Sequence, residues 1–239
     1  MTFFRRGDVN IHYEEYGSGF PILLIAPGGM RSEMTFWERT PWNPIEQLSP
    51  KYRVIAMDQR NAGQSTAPIE ATDSWPVYTD DQLALMDHLG IDRFHVAGMC
   101  IGGSYIMALS NAAPQRVASG VVFQTIGLDD NRQAFYDMFD SWADELRPQR
   151  ADVDPGAWAP FRDAMYGTDF LFTCTREEAA ACQTPLLVLL GNDLYHPEAS
   201  SRDHASLAPH ATLIEHWKEP AYHAAAIAEM DRFLAEHSS

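Results

Sequence analysis

Hydrophobic residues along this chain gather into short, nearly continuous runs: Ile22–Ala26, Arg53–Met57, Phe94–Ala97, Val117–Phe123, Leu186–Leu190 and Thr212–His216. Runs of this length predict strands buried on both faces of a parallel sheet. Ahead of them, Thr2–Arg6 and Val9–Tyr16 flank Gly7-Asp8, which predicts a hairpin. Between the runs the period changes. Tyr78–Leu89 carries Leu83, Met86 and Leu89 and stops at Gly90, a residue suited to a helix C-terminus. Helices are also expected over Ile101–Ala112, from Pro197 toward Leu207, and over Ala221–Glu236, where Ile227, Met230 and Leu234 share a face. Strands alternating with helices predict an α/β chain with a doubly wound, mostly parallel sheet.

One stretch breaks the alternation. Residues 127–180 hold no strand-like run; they carry Phe135, Met138, Phe139, Trp142 and Leu146 at helical spacing and then Pro148, Pro155 and Pro160. We expect a helical insertion within a single domain spanning residues 1–239, lying above the C-terminal ends of the parallel strands, where such sheets bind ligands. Its aromatic load includes Phe135, Tyr136, Trp158, Phe161, Tyr166, Phe170 and Phe172. Most of these should pack the insertion on itself, and some should face a substrate.

Composition narrows the classes of function. With 239 residues and 46% hydrophobic positions the chain can bury a sizeable core. A formal net charge of −16 disfavours nucleic acid and anionic membrane surfaces as partners. No run is long enough to span a bilayer, and Met1-Thr-Phe-Phe-Arg-Arg is not followed by an apolar signal segment. Three cysteines, Cys100, Cys174 and Cys182, in an odd and low count, suggest reduced thiols and a cytoplasmic setting. No metal-ligand spacing stands out, so neither a metal nor an organic cofactor is implied. The oligomeric state is not legible.

The chemistry concentrates at Gly98-Met99-Cys100-Ile101-Gly102, a Gly-x-Cys-x-Gly between an expected strand and an expected helix. A sharp strand-to-helix turn presents one side chain in strained backbone geometry, and small residues two positions either side let neighbouring backbone pass. The helix N-terminus favours a thiolate there.

At this point the chain resembles the α/β-hydrolase superfamily, and its elbow is similar to that of dienelactone hydrolases, which carry cysteine in place of serine. Ala26-Pro27-Gly28-Gly29 stands where relatives show His-Gly. Asp58-Gln59-Arg60-Asn61-Ala62-Gly63-Gln64-Ser65 is similar to their Asp-x-Arg-Gly-x-Gly-x-Ser loop, with Asn61 replacing a glycine. Gly191-Asn192-Asp193 is similar to the Gly-x-Asp that ends the acid-bearing strand. The resemblance implies an α/β-hydrolase fold with a helical lid, Cys100 as nucleophile and Asp193 as acid. It also implies oxyanion donors at the N–H groups of Ile101 and Gly29, with Met30 as second choice. Six histidines follow Asp193: His196, His204, His210, His216, His223 and His237. The family's base lies after the last strand, which selects His223, although Lys218-Glu219-Pro220 replaces the usual Gly-His loop.

Pocket candidates are Met99, Phe139 and Trp142. The implied activity is hydrolysis of an ester-like bond (activated ester, lactone, enol ester or thioester) in a small, partly apolar substrate, through an acyl-cysteine. The alternatives are acyl transfer from the same intermediate and a noncatalytic binding protein, and relatives on this scaffold also cleave carbon–carbon bonds.

Overall fold

The structure is a computed structural model and describes residues 2–238. An eight-stranded sheet runs through the molecule, formed by β1 (Thr2–Arg6), β2 (Val9–Tyr16), β3 (Phe20–Ile25), β4 (Tyr52–Met57), β5 (Phe94–Cys100), β6 (Val117–Thr125), β7 (Leu186–Leu189) and β8 (Ala211–Ile214). Its order is β1-β2-β4-β3-β5-β6-β7-β8. The opening hairpin joins antiparallel through β2 and β4, and all later pairs are parallel. The sheet is therefore the mostly parallel, doubly wound one expected.

Five of the six apolar runs form strands with both faces covered, whereas β8, at the sheet's edge, is only half-buried and leaves Thr212 exposed. Ile25, Val96, Val122 and Val188 point into one hydrophobic cluster. Leu24, Ala97, Val121 and Leu187, one position away in each strand, point into the other. This is the two-residue period of a strand with no solvent face. Helices α2 (Trp75–His88), α3 (Ile101–Ala112) and α7 (Glu198–Leu207) contribute to the first cluster. Helices α1 (Pro44–Leu48) and α8 (Pro220–Glu236), with Trp37 and Trp42, cover the second.

Two element ends moved and one helix is new. Helix α2 starts at Trp75, with Pro76 in its first turn. Strand β8 stops at Ile214, so His216 falls beyond it, stacked on Tyr222. Helix α1 was not foreseen; Asn43 caps it by accepting from the Ile45 N–H at 3.0 Å.

Between β6 and β7 the chain forms α4 (Arg132–Leu146), α5 (Trp158–Tyr166) and α6 (Arg176–Ala181), with no strand among the described residues. Helix α4 packs on α5 through Phe139, Trp142, Trp158 and Phe161, whose rings meet edge to face. Asn61, at φ 57°, takes the left-handed backbone anticipated for it. Its side-chain oxygen accepts from the Ala67 N–H and from Arg150, and its carbonyl accepts from the Trp142 indole. The loop after β4 thus anchors this helical segment.

Candidate active site

Strand β5 ends at Cys100 and α3 begins at Ile101 without an intervening loop. A chain that turns this sharply holds Cys100 at φ 61° and ψ −115°, a conformation few non-glycine residues adopt. The flanking glycines make the turn possible. A Cβ on Gly98 would lie 2.8 Å from the Gly102 backbone, one on Gly102 2.8 Å from the Ile25 carbonyl, and one on Gly103 2.4 Å from Thr125 Oγ1. The Gly-x-Cys-x-Gly spacing is therefore a packing requirement, and it lifts the sulfur onto the floor of a cavity of about 220 Å³.

His196 faces that sulfur. Its Nδ1 is 2.7 Å from Asp193 Oδ1, and its Nε2 is buried with the Cys100 sulfur beside it. The thiol and imidazole interact as charges and hydrogen-bonding groups but are not aligned as a directed bond, the looseness usual for such pairs without substrate. Asp193 Oδ1 also accepts from the N–H groups of Tyr195 and His196, at 3.1 and 3.2 Å. An aspartate that captures the amides just after it folds its loop back, which brings His196 onto its own carboxylate. Gly191 leaves the room: a Cβ there would sit 2.5 Å from the His196 carbonyl oxygen and 2.7 Å from its Cβ.

The electrostatics follow. Burial would push the Cys100 thiol up; the His196 charge beside it, helped by the N–H groups of Gly28 and Ile101, outweighs it and holds the thiol below its ordinary value. Burial would likewise lower His196, yet the thiolate and the Asp193 carboxylate raise it to about 9. The His196 hydrogen bond takes Asp193 down to about 2. The arrangement favours a thiolate–imidazolium pair, with two backbone donors beside the sulfur.

The structure brings Cys100, Asp193 and Ile101 together and leaves His223 out. Helix α8 starts at Pro220, so His223 lies in its first turn, and its Nε2 donates to the Lys218 carbonyl at 2.8 Å. His196, three residues after Asp193, occupies the place expected for it. With that of Ile101, the Gly28 N–H lies at the sulfur; Gly29, expected as an oxyanion donor, lines the cavity, and Met30, the second choice, is buried against the Tyr166 hydroxyl.

The pocket candidates also change. Met99 points to the opposite side of the sheet from Val96, packing in the cluster of Trp217 and Phe123. Phe139 and Trp142 face α5. Phe135 and Met138, on the neighbouring edge of α4, line the cavity with Tyr166 and Tyr195. The signal for His196 was in the chain: an aspartate able to close a turn, a histidine three residues on, and a glycine behind it. Among the described residues no group of three or more His, Cys, Asp and Glu side chains could hold a metal ion, and no helix is long and apolar enough to cross a membrane.

The chain is similar to several known proteins. It is 37% identical over 119 residues to "Putative carbamate hydrolase RutD" of Azorhizobium caulinodans, which is 50% of this chain and 42% of that protein. It is 33% identical over 110 residues to pimeloyl-[acyl-carrier protein] methyl ester esterase of Legionella pneumophila, 46% of this chain and 39% of the relative. The matched region thus spans less than half the length of these curated relatives. Among solved structures, the enol-lactonase of Burkholderia xenovorans superposes with a TM-score of 0.72 at 23% identity, covering 98% of this chain and 100% of that one. A sequence model described as the alpha/beta hydrolase fold matches residues 21–218, most of the chain, and the chain belongs to that family.

Proposed function

We propose that this protein hydrolyses ester-like bonds in small molecules, with Cys100 as nucleophile, His196 as base and acid, and Asp193 holding His196. The observation that carries the proposal is the convergence of the Cys100 sulfur, the His196–Asp193 pair and two backbone N–H donors at one cavity. The reading follows the resemblance of the elbow to that of dienelactone hydrolases, and the esterase and enol-lactonase among the similar proteins support ester-like chemistry.

The thiolate of Cys100 attacks the substrate carbonyl carbon, and the carbonyl electron pair moves to oxygen. The N–H groups of Gly28 and Ile101 stabilise that oxyanion; removing one such donor elsewhere costs about 3 kcal/mol. As the carbonyl reforms, the bond to the alcohol oxygen breaks and protonated His196 delivers its proton to the leaving oxygen. Neutral His196 then takes a proton from water, whose oxygen attacks the thioester. Collapse of the second tetrahedral species expels the thiolate and restores the pair. Asp193 stays ionised throughout and keeps Nε2 aimed at the sulfur. A thiolate is a good leaving group, so activated esters, enol esters, lactones and thioesters suit the site better than amides.

Intact-mass spectrometry after mixing with p-nitrophenyl acetate tests this directly. The wild type should gain an acetyl group on Cys100 and then lose it, and Cys100→Ala should do neither. Turnover by Cys100→Ala at the wild-type rate would overturn the assignment.

A further inference from the structure

The cavity above Cys100 has walls of one kind. Ile101, Ile126, Phe135 and Tyr166 are fully buried around it. The Tyr166 hydroxyl is turned away to Met30 Sδ, 3.5 Å distant. Apart from the Cys100–His196 pair, no ionisable side chain other than the two tyrosines lines the cavity among the described residues. The guanidinium carried by the adjacent loop, Arg31, is turned outward to Glu145 at 2.8 Å and Ser141 at 3.0 Å. A charged group entering here would lose water and find no counter-ion other than the His196 imidazolium, which Cys100 and Asp193 already neutralise, a cost of several kcal/mol.

One wall is movable. Met138 is half-buried, and its sulfur lies so close over Gly29 that a Cβ there would be 2.6 Å away. An unbranched thioether bends readily, unlike the packed aromatic walls. Tyr195, the other partly exposed wall, is held by the Phe135 ring at 5.5 Å.

Resting on the hydrolase reading, we propose that this cavity is an acyl site for a neutral, apolar acyl group, and that Met138 sets the length it accepts. The size follows from the volume. A cavity of about 150 Å³ holds benzene, roughly 25 Å³ per heavy atom, and at that packing the 220 Å³ here takes about nine. Acyl groups up to about octanoyl fill the cavity, and longer ones must displace the Met138 thioether.

The experiment compares kcat/KM for p-nitrophenyl acetate, butyrate, hexanoate and decanoate, with the hemisuccinate as the charged counterpart of butyrate. In the wild type decanoate should fall at least tenfold below hexanoate, and the hemisuccinate about 100-fold below butyrate. Met138→Ala should raise the decanoate-to-acetate ratio at least tenfold, and Met138→Phe should lower the hexanoate-to-acetate ratio. Equal scaling of all four esters by Met138→Ala, or wild-type turnover of the hemisuccinate matching butyrate, overturns the proposal. Failure of acetate to acylate Cys100 counts against the hydrolase reading, a separate result. Calorimetric binding of hexanamide and decanamide to Cys100→Ala, with and without Met138→Ala, measures the site without turnover. Met138→Ala must tighten decanamide more than hexanamide, and an unchanged ratio rejects Met138 as the limit.

Discussion

At the scale of single residues, three side chains share two protons. Asp193, held near 2, remains a carboxylate at any working pH, so the titration that matters is that of Cys100 with His196. The two groups interact strongly and titrate as a pair. On the proposed mechanism, acylation falls below the depressed thiol value, where the sulfur is protonated. As pH rises through about 9, His196 loses the proton that the leaving group needs, and acylation falls again. A pH profile of kcat/KM should therefore be bell-shaped, with its alkaline limb near 9.

His196→Ala should lower kcat/KM by about 10³-fold or more, because members of one catalytic unit fail together. It should also shift the pH at which iodoacetamide alkylates Cys100 upward, since burial is then opposed only by the Gly28 and Ile101 N–H groups. His223→Ala should leave both measurements within about twofold, because that ring is bound to the Lys218 carbonyl. A large loss at His223 with none at His196 would return the base to the loop after β8.

At the scale of elements, the site depends on two turns that admit no extra carbon. Gly98→Ala would drive a methyl to 2.8 Å from the Gly102 backbone, where neither strand nor helix can give. Overpacking of this kind costs about 1–3 kcal/mol, and chemical denaturation should show it as a lowered midpoint with an unchanged slope. Gly191→Ala acts differently. Its methyl would meet the buried His196 carbonyl and Cβ, and the exposed Asn192–Leu194 stretch between the two residues lets the loop shift. Activity should fall more than tenfold for a stability loss of about 1 kcal/mol or less, because a loop displacement near 1 Å is enough to spoil a catalytic pair. Equal loss of stability and activity would mean that Gly191 serves the fold alone.

Across the whole molecule, two buried histidines tie stability to acid. His95 lies inside the sheet, its Nδ1 2.8 Å from Ser119 Oγ and its Nε2 3.0 Å from Ser238 Oγ, and burial drives it down to about 3. His204 is fully buried beside Met107 and falls to about 4 for the same reason. Both stay neutral in the folded chain while the unfolded chain takes up protons below about 6.5. The unfolded state then binds more protons, so stability drops as pH falls, by about 1.4 kcal/mol per pH unit for each histidine until its folded value is reached. The melting temperature should decline between pH 7 and pH 5, and His204→Leu should flatten that decline. A slope unchanged by the substitution would place the acid sensitivity elsewhere.

What the sequence determined by itself follows from local rules. Five of the six apolar runs specify buried strands because a segment covered on both faces needs no polar positions; the sixth, β8, is a half-buried edge strand. The elbow was legible because a residue in strained backbone between a strand and a helix demands glycines at fixed distances, and Gly98 and Gly102 stand there. Asp193 was legible from the strand it follows. Only the tertiary structure decided the partner of Cys100. Sequence order favours His223, but the imidazole that reaches the sulfur depends on which loop folds back, and that rests on hydrogen bonds from Asp193 and on the space beside Gly191. The cavity wall was undecided for a similar reason. The helical stripe names Phe135, Met138, Phe139 and Trp142 together, and α5, by packing on Phe139 and Trp142, leaves Phe135 and Met138 to face the sulfur.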